Sequence, residues 1–260
     1  RGMEFLFKPD FSKVTGSVFL AAMGQAFYSL GLSMGCICTF ASYFSRETNL
    51  LKSAVNIAVI DTIIAILAGL MIFPAAFSVG VSPDSGPSLI FITLPNVFQQ
   101  AFAGVPLLGT VVAVMFYMLL SLAAITSLIS LHEVSTAFLC EETRLNRKNA
   151  ARLVTVVCSV IGAFCSLSLG DRAWLSMFGK TLFDWFDFVT GQLLLPFGGI
   201  LTCIFMGWVV PRKLIKDEFT NWGTLSGTLF GVYLLLVRYF CPVCIMAIFL
   251  NQLGLLNIAF

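Results

Sequence analysis

Six long apolar runs constrain the fold of this chain more than any other feature of its sequence. They lie near residues 16–44, 50–77, 106–138, 150–169, 184–210 and 225–250, and a helix needs about 20 such residues to cross a bilayer. Only 11% of the residues are charged and 58% are hydrophobic, which is outside the usual range of soluble domains. The runs lack the strict alternation of barrel strands. We therefore predict an all-α membrane protein with six transmembrane helices.

The middle of the first run, from Gln25 to Gly35, is rich in small residues. Glycine weakens a helix by roughly 1 kcal/mol relative to alanine. Backbone that leaves the helix at membrane depth is tolerated where it lines a cavity or is buried in protein. We predict that the helix at 16–44 is broken at mid-membrane. The alternative is that its small residues only let two helices pack closely.

The connections predict the topology. Residues 1–15 are predicted to form an extracellular loop and residues 78–105 a helical extracellular capping loop, because the second is too long for an idle turn. Lysine and arginine mark the cytoplasmic side of a membrane protein, and most of them follow the first, third and fifth spans. They are Arg46, Lys52, Arg144, Arg147, Lys148, Arg152, Arg212, Lys213 and Lys216. We expect a multi-pass protein of the cell inner (plasma) membrane whose chain begins partway through a longer polypeptide.

Polar residues inside the apolar runs are the candidate site. Asp61 lies in the second span, and an ionisable residue there indicates function unless neighbouring hydroxyls satisfy it. Thr126 and Ser127 place two hydroxyls in the third span, where they either bond back to the preceding turn or, with carbonyls and carboxylates, suit a hard cation such as sodium. Asp187 opens the fifth span, where it can also complement the helix dipole.

The remaining unusual residues favour structural roles. The eight cysteines fall almost entirely in apolar runs and are expected to pack as small hydrophobes, although Cys241 and Cys244 have the spacing of a redox or zinc pair. His132 and Glu133 predict a local polar network. Arg238, within the sixth span, is expected to snorkel or to form an ion pair. A histidine without a nucleophile and acid at motif spacing argues against an enzyme.

Several motifs together resemble one family, the neurotransmitter:sodium symporters with the leucine-transporter fold, in a prokaryotic amino-acid branch. They extend over essentially the whole chain. In order they are Phe5-Leu6-Phe7-Lys8-Pro9-Asp10, Gly24-Gln25-Ala26-Phe27-Tyr28-Ser29-Leu30, Ala41-Ser42-Tyr43, Ala68-Gly69-Leu70, Ile72-Phe73-Pro74, Gly86-Pro87, Leu89-Ile90-Phe91, Leu94-Pro95, Thr126-Ser127 and Leu195-Pro196-Phe197-Gly198-Gly199.

The resemblance implies that the six spans correspond to the sixth to eleventh helices of that fold, the first being unwound at mid-membrane. It also implies roles for individual residues. The implied substrate-binding residues are Tyr28, Ser29, Gly31, Met34, Ser127 and Leu131. The implied ligands of the first sodium site are Ser29 and Asp61, and those of the second are Ala123, Thr126 and Ser127. The implied extracellular gate is Asp187, and the implied intracellular gate is Glu141.

The function implied is sodium-coupled symport of an amino acid by alternating access, with Na⁺ as coupling ion and no organic cofactor. Gly31 beside Met34 leaves room for a hydrophobic or aromatic substrate. Chloride-dependent relatives resemble one another in having asparagine at the position of Asp61. The carboxylate of Asp61 supplies a fixed negative charge there, so we expect that transport does not require chloride. The family's first five helices are absent from the sequence, so the N-terminal half of a transporter is an expected partner, and a net charge of +2 predicts no nucleic-acid partner. A non-transporting fragment and a channel-like pore lined by Ser29, Asp61 and Thr126 are the alternatives.

Overall fold

The structure is a computed structural model that describes residues 2–8, 10–45, 48–78, 89–168, 176–177 and 180–255. Residues 79–88 of the predicted capping loop and residue 169 of the fourth predicted span lie outside this description. The described chain is helical except for one antiparallel pair of two-residue strands, β1 (Ser176–Met177) and β2 (Lys180–Thr181), with Ser176 opposite Thr181. The fold class is therefore helical, as predicted from the sequence.

Twelve α-helices and four π-helical segments, here π1 to π4, make up the described architecture. In chain order they are α1 (Gly2–Phe7), α2 (Gly16–Ser29), α3 (Cys36–Ala41), α4 (Leu50–Ser78), π1 (Leu89–Thr93), α5 (Leu94–Ala101), α6 (Pro106–Glu142), α7 (Arg147–Ser168), α8 (Leu182–Asp187), π2 (Phe188–Leu194), α9 (Leu195–Ile204), π3 (Phe205–Val209), α10 (Arg212–Phe219), α11 (Phe230–Leu235), π4 (Leu236–Phe240) and α12 (Cys241–Gln252).

Five helical stretches among the described residues are long and apolar enough to cross a membrane: Leu50–Pro74, Pro106–Glu142, Arg147–Ser168, Leu182–Val209 and Phe230–Gln252. Their side chains are mostly exposed in this chain, so their apolar surfaces are free to contact lipid or further protein. The two ends that differ most from the sequence prediction are the C-terminal end of α6 and the start of the last stretch. α6 continues past residue 138 because its glutamates are good helix formers, and the last stretch begins only at Phe230, after turns with positive φ at Asn221 and Trp222.

The first apolar run forms two helices rather than one. α2 ends at Ser29 and α3 begins at Cys36. Between them Gly31, Ser33 and Gly35 have φ angles of 60°, 71° and 80°, in the left-handed region that a right-handed helix cannot accommodate. The predicted interruption is therefore present in the backbone, and its depth in the membrane stays a prediction.

The four π-helical segments share one sequence signal: each ends two residues before a proline. The prolines are Pro95, Pro196, Pro211 and Pro242. A proline has no N–H for the carbonyl four residues earlier, and its ring clashes with that carbonyl. The residue before the proline bonds five positions back instead, as in Leu195 to Thr190, Val210 to Phe205 and Cys241 to Leu236. At π1, π2 and π4 the wider turn relieves the clash and the helix continues into α5, α9 and α12, whereas the helix of π3 ends at Val210, which has an extended backbone.

The chain divides into two compact units, Arg1–Lys13 with Asn56–Leu128, and Val14–Val55 with Ile129–Phe260. In the first unit π1 and α5 pack against α6. The Tyr117 hydroxyl donates to the Ile90 carbonyl at 2.7 Å, and Gly109 lies so close to Phe102 that an added Cβ would be 2.8 Å from that residue's Cβ. Leu94 and Val97 are buried at this contact.

The second unit is built around α12, which packs on α9 and α2. Its core includes Leu20, Leu195, Ile245 and Ile248. Gly24 of α2 permits the close approach, because a Cβ added there would be 3.3 Å from Ile248 Cγ2. This small core holds the first apolar run against the last one.

Candidate functional site

The C-terminus of α2, where the break begins, is capped by backbone hydrogen bonds. The N–H of Leu32 donates to the Phe27 carbonyl at 3.2 Å, and the N–H of Gly31 donates to the Tyr28 carbonyl at 3.0 Å. With a left-handed residue at position 31, this is the Schellman arrangement that caps a helix C-terminus. Gly31 thus has a structural reason to be glycine in addition to the substrate role that the resemblance implies.

Two glycines of α9 hold the broken segment in place. A Cβ added to Gly199 would lie 2.7 Å from Ser33 Oγ and 2.9 Å from Phe27 Cζ, so any side chain there must displace the segment. A Cβ added to Gly198 would lie 3.6 Å from Ser33 Cβ, which is an ordinary van der Waals contact. On another side of the segment, Gly35 would meet Val134 Cγ1 at 3.1 Å. Backbone contact with α9 and α6 therefore fixes the position of the break.

A cavity of about 360 Å³ opens beside the end of α2. Its polar lining includes Tyr28, Asp187, Gln192, Asn251 and Gln252. Among the described residues, the buried Oε1 atom of Gln252 has no hydrogen-bond partner, and a buried acceptor is normally satisfied by protein, water or ligand. The polar side chains that line the cavity offer both hydrogen-bond donors and acceptors.

The predicted sodium ligands of the first unit lie on two long helices. Asp61 is half-buried in α4, while Ala123, Thr126 and Ser127 are exposed on α6. The Thr126 hydroxyl donates to the Ala123 carbonyl at 2.8 Å, which is the bond to the preceding turn that the sequence left open. The bond places two oxygen atoms side by side, and oxygen is the ligand that a hard cation prefers.

The same unit contains a larger, mostly apolar cavity of about 810 Å³ between α5 and α6. Phe98, Phe102, Val114 and Tyr117 are among its lining residues. It includes none of the predicted substrate, sodium or gate residues, so it is not the candidate site.

Glu133 is the centre of a polar network near the end of α3. The Tyr43 hydroxyl donates to Glu133 Oε1 at 2.8 Å, and Arg147 Nη2 donates to the same oxygen at 2.6 Å. Glu133 is 18% exposed and Arg147 is 69% exposed, so the pair lies at the edge of the protein. Glu141, the residue implied for the intracellular gate, is exposed two turns further along α6.

His132 links α6 to α7 through hydroxyl groups. Its Nε2 is 2.9 Å from Thr155 Oγ1 and its Nδ1 is 3.2 Å from Thr136 Oγ1. The Thr155 hydroxyl also donates to the Ala151 carbonyl. Both ring nitrogens of His132 therefore have a hydrogen-bond partner. This satisfied geometry indicates a structural role.

The structure thus brings together some of the predicted site residues. Tyr28 and Asp187 line one cavity, and Gly31 lies near Met34, whose Sδ would be 3.8 Å from an added Cβ. Ser29 and Leu131 belong to the same unit as these four. The predicted sodium ligands Asp61, Ala123, Thr126 and Ser127 belong to the other unit.

No site role followed from the sequence for several residues that this geometry makes important: Ser33, Tyr43, Arg147, Gly199 and Gln252. Two signals could have found some of them. Ser33 stands between two glycines in the broken segment, and Gly199 belongs to a glycine pair after a proline. Glu133 is the partner of both Tyr43 and Arg147 and lies 90 and 14 residues from them. The cavity beside Gln252 is lined by distant parts of the chain. No local pattern therefore indicates Tyr43, Arg147 or Gln252.

Comparison with known proteins agrees with these observations. The profile of the sodium:neurotransmitter symporter family matches residues 1–257. An uncharacterized sodium-dependent transporter of Haemophilus influenzae is 36% identical over 254 residues, which are 97% of this chain and 54% of that protein. An uncharacterized sodium-dependent transporter of Bacillus subtilis is 34% identical over 257 residues, 98% of this chain and 56% of that protein.

A solved structure gives the same result. The crystal structure of MhsT in complex with L-phenylalanine superposes with a TM-score of 0.83 at 37% sequence identity, covering 96% of this chain and 56% of MhsT. The chain therefore spans about half the length of the relatives that it matches.

Proposed function

Because this chain belongs to the sodium:neurotransmitter symporter family, we propose that it forms the half of a sodium-coupled amino-acid symporter that carries the broken sixth helix of the leucine-transporter fold. In this assignment the described helices supply the sixth to eleventh helices, and π1 with α5 caps the extracellular side. One observation supports it most: the first apolar run is interrupted at Leu30–Gly35, and backbone contacts with α9 and α6 hold the interruption in place.

The broken segment is the proposed substrate site. The carboxyl end of α2 carries partial negative charge, which favours the ammonium group of an amino acid. Tyr28, Ser29, Gly31 and Met34 would line the pocket from this segment, with Ser127 and Leu131 from α6. Gly31 and the flexible Met34 leave room for a large apolar side chain. The L-phenylalanine bound in MhsT supports a hydrophobic or aromatic substrate.

Two sodium sites accompany the substrate. Ser29 and Asp61 would contribute to the first, and the Ala123 carbonyl with the Thr126 and Ser127 hydroxyls to the second. The adjacent oxygens of Ala123 and Thr126 fit a hard cation. Because sodium completes the pocket that the substrate needs, the two ligands bind cooperatively, and this coupling drives alternating access. The relatives' remaining length would supply the other ligands and helices.

Asp187 and Glu141 are the proposed extracellular and intracellular gates. Asp187 lines the same cavity as Tyr28, which supports a gate directly outside the substrate position. Asp61 would make transport independent of chloride, because its carboxylate supplies the negative charge that chloride otherwise provides.

The test of this function is uptake of labelled L-phenylalanine by proteoliposomes that contain the transporter polypeptide carrying this chain. Uptake is expected to saturate, to require an inward sodium gradient, and to be unchanged when gluconate replaces chloride. Uptake driven equally by potassium, or a non-saturating flux as expected of a pore, would contradict the proposal. Competition that favours glycine over phenylalanine would overturn the substrate class.

Paired variants test the sodium sites. Thr126→Val is expected to raise the sodium concentration for half-maximal uptake about tenfold, the effect of losing a cation contact of roughly 1.4 kcal/mol. Thr110→Val is the matched control, since Thr110 makes an equivalent bond to the Pro106 carbonyl on the same helix. Asp61→Asn is expected to lose uptake, with partial recovery on adding chloride. Equal effects of the two threonine variants, or no recovery with chloride, would count against these sites.

A further inference from the structure

Arg238 in π4 contacts the neighbouring segment π3 through a backbone carbonyl. Its Nε donates to the carbonyl of Gly207 in π3. That carbonyl belongs to the last turn of its helix, which ends at the extended residue Val210 before Pro211, so no helical N–H follows to pair with it. Such a carbonyl at membrane depth needs another donor. The sequence predicted an ion pair or snorkelling for Arg238, and the structure shows a hydrogen bond to this carbonyl.

The contact fixes the arginine rather than leaving it to rotate. Gly207 is buried, and a Cβ added there would lie 3.0 Å from Arg238 Cγ and 3.4 Å from its Cα. The side chain therefore lies flat against the backbone of π3. A guanidinium has five N–H donors, and the bond to Gly207 uses one of them. In the part of the chain that the structure describes, no carboxylate forms an ion pair with Arg238.

Two aromatic residues that are adjacent in sequence to this contact are typical of a membrane interface. Trp208 and Tyr239, the residues that follow Gly207 and Arg238, stack edge to face with ring centroids 5.8 Å apart. They are 49% and 60% exposed, and exposed tryptophan and tyrosine favour the level of the lipid headgroups. Gly207 also lies only one helical turn before Pro211, where the crossing ends.

Positive charge continues beyond the end of that crossing. Arg212, Lys213 and Lys216 are exposed on α10, on the side that the lysine and arginine bias makes cytoplasmic. A fixed guanidinium, two polar aromatic groups and a basic helix end together complement a phosphate group with net negative charge.

We propose that Arg238, Trp208 and Tyr239 form a binding site for the phosphate of an anionic phospholipid in the inner leaflet. The Nη groups of Arg238 bind the phosphate oxygens while Nε stays on Gly207. The indole N–H of Trp208 and the hydroxyl of Tyr239 contact the headgroup. The basic residues of α10 attract the anionic lipid. This site is independent of the proposed transport function, because it depends only on residence in a membrane.

The experiment measures phosphatidylglycerol bound to the purified chain in mild detergent, by native mass spectrometry and by the thermal shift on titration with the short-chain lipid. The unsubstituted chain is expected to retain one phosphatidylglycerol and to melt at a higher temperature with it than with phosphatidylcholine. Arg238→Met, which keeps the apolar stem, is expected to weaken the binding about tenfold, as for loss of a charged hydrogen bond. Arg152→Met removes an exposed arginine from α7 and is expected to change nothing.

Three outcomes would overturn the proposal. Arg238→Met could lower the melting temperature yet bind phosphatidylglycerol as before, and this result would show that Arg238 has only a structural role. Phosphatidylcholine could bind as tightly as phosphatidylglycerol, or inorganic phosphate could stabilise the chain equally, which shows that the lipid is not recognised.

If Arg238→Met fails to fold, the double variant Trp208→Phe with Tyr239→Phe carries the test, since it keeps the arginine and both rings. It is expected to bind phosphatidylglycerol several-fold more weakly. Unchanged affinity of this folded variant would contradict the site equally.

Discussion

The second unit interrupts its helices in two ways. At Leu30–Gly35 the helix stops, the backbone passes through three left-handed residues, and a new helix begins at Cys36. At π2 and π4 the helix continues through the proline, which frees one carbonyl each time, whereas π3 ends at the extended residue Val210 before Pro211. The first kind exposes helix ends, which can bind ligands. The proline break at π2 and π4 keeps the crossing intact and leaves a single acceptor to be satisfied. The glycine break is therefore expected to depend on its neighbours, and the proline breaks on local geometry.

The largest expected effect is at the contact that holds the glycine break. Gly199→Ala places a methyl group 2.7 Å from Ser33 Oγ and 2.9 Å from Phe27 Cζ, so we expect a loss of about 2–3 kcal/mol from overpacking. Thermal unfolding of the purified chain in detergent measures it.

Gly162→Ala is the control for that variant. Gly162 lies in α7 with nothing within 4 Å of an added Cβ, so alanine is expected to be neutral or to stabilise by up to about 1 kcal/mol through helix propensity. Similar shifts for the two variants would show that α9 does not support the break.

The next effect is within the break itself. Gly35→Ala must adopt a φ of 80° and meets Val134 Cγ1 at 3.1 Å, and we expect a loss of about 1–2 kcal/mol. Gly31→Ala faces a φ of 60° with only Met34 Sδ at 3.8 Å. Comparing the two melting temperatures separates backbone strain from contact with α6. A larger loss at Gly31 would contradict the importance of Val134.

The protein is expected to tolerate replacement of the proline that causes a π-helical segment. Pro242→Ala returns an N–H to the carbonyl of Arg238, four residues earlier, so π4 can tighten into an ordinary helix turn. We expect a stability change within about 1 kcal/mol, because the gain in helix propensity offsets lost ring contacts. Hydrogen exchange should show a protected amide at position 242. A large loss of stability would place this break in the same class as the glycine break.

These two kinds of break also show how much of the fold was predictable from sequence. The spans followed from apolar length, and the interruption near Leu30 followed from Gly31, Ser33 and Gly35. The proline positions would also have located π2 to π4, since the signal is local and steric.

The parts of the site that could not be predicted are those made by distant partners. Ser33 depends on Gly199, Glu133 on Tyr43 and Arg147, and Arg238 on Gly207. Tertiary packing decides these contacts, and no periodicity or spacing encodes them. The family resemblance implied roles for Asp61, Thr126 and Asp187, and the groups that would bind with them remain predictions.

Ser33→Gly is expected to change the free energy of unfolding least, yet it gives the most direct test of whether the glycine break depends on its neighbours. Ser33 is a non-glycine residue at a φ of 71°, which costs an L-residue roughly 1–2 kcal/mol. Glycine relieves this strain but has more freedom in the unfolded chain and loses the contact with α9. We therefore expect a net change below about 1 kcal/mol in thermal unfolding.

Combined with Gly199→Ala, Ser33→Gly removes the nearest clashing atom and leaves only that of Phe27. The double variant is therefore expected to recover about half of the loss caused by Gly199→Ala alone, a coupling of roughly 1 kcal/mol in a double-mutant cycle. Strictly additive effects would mean that the break and α9 are energetically independent. The glycine break would then be as local as the proline breaks, and its position would not depend on its neighbours.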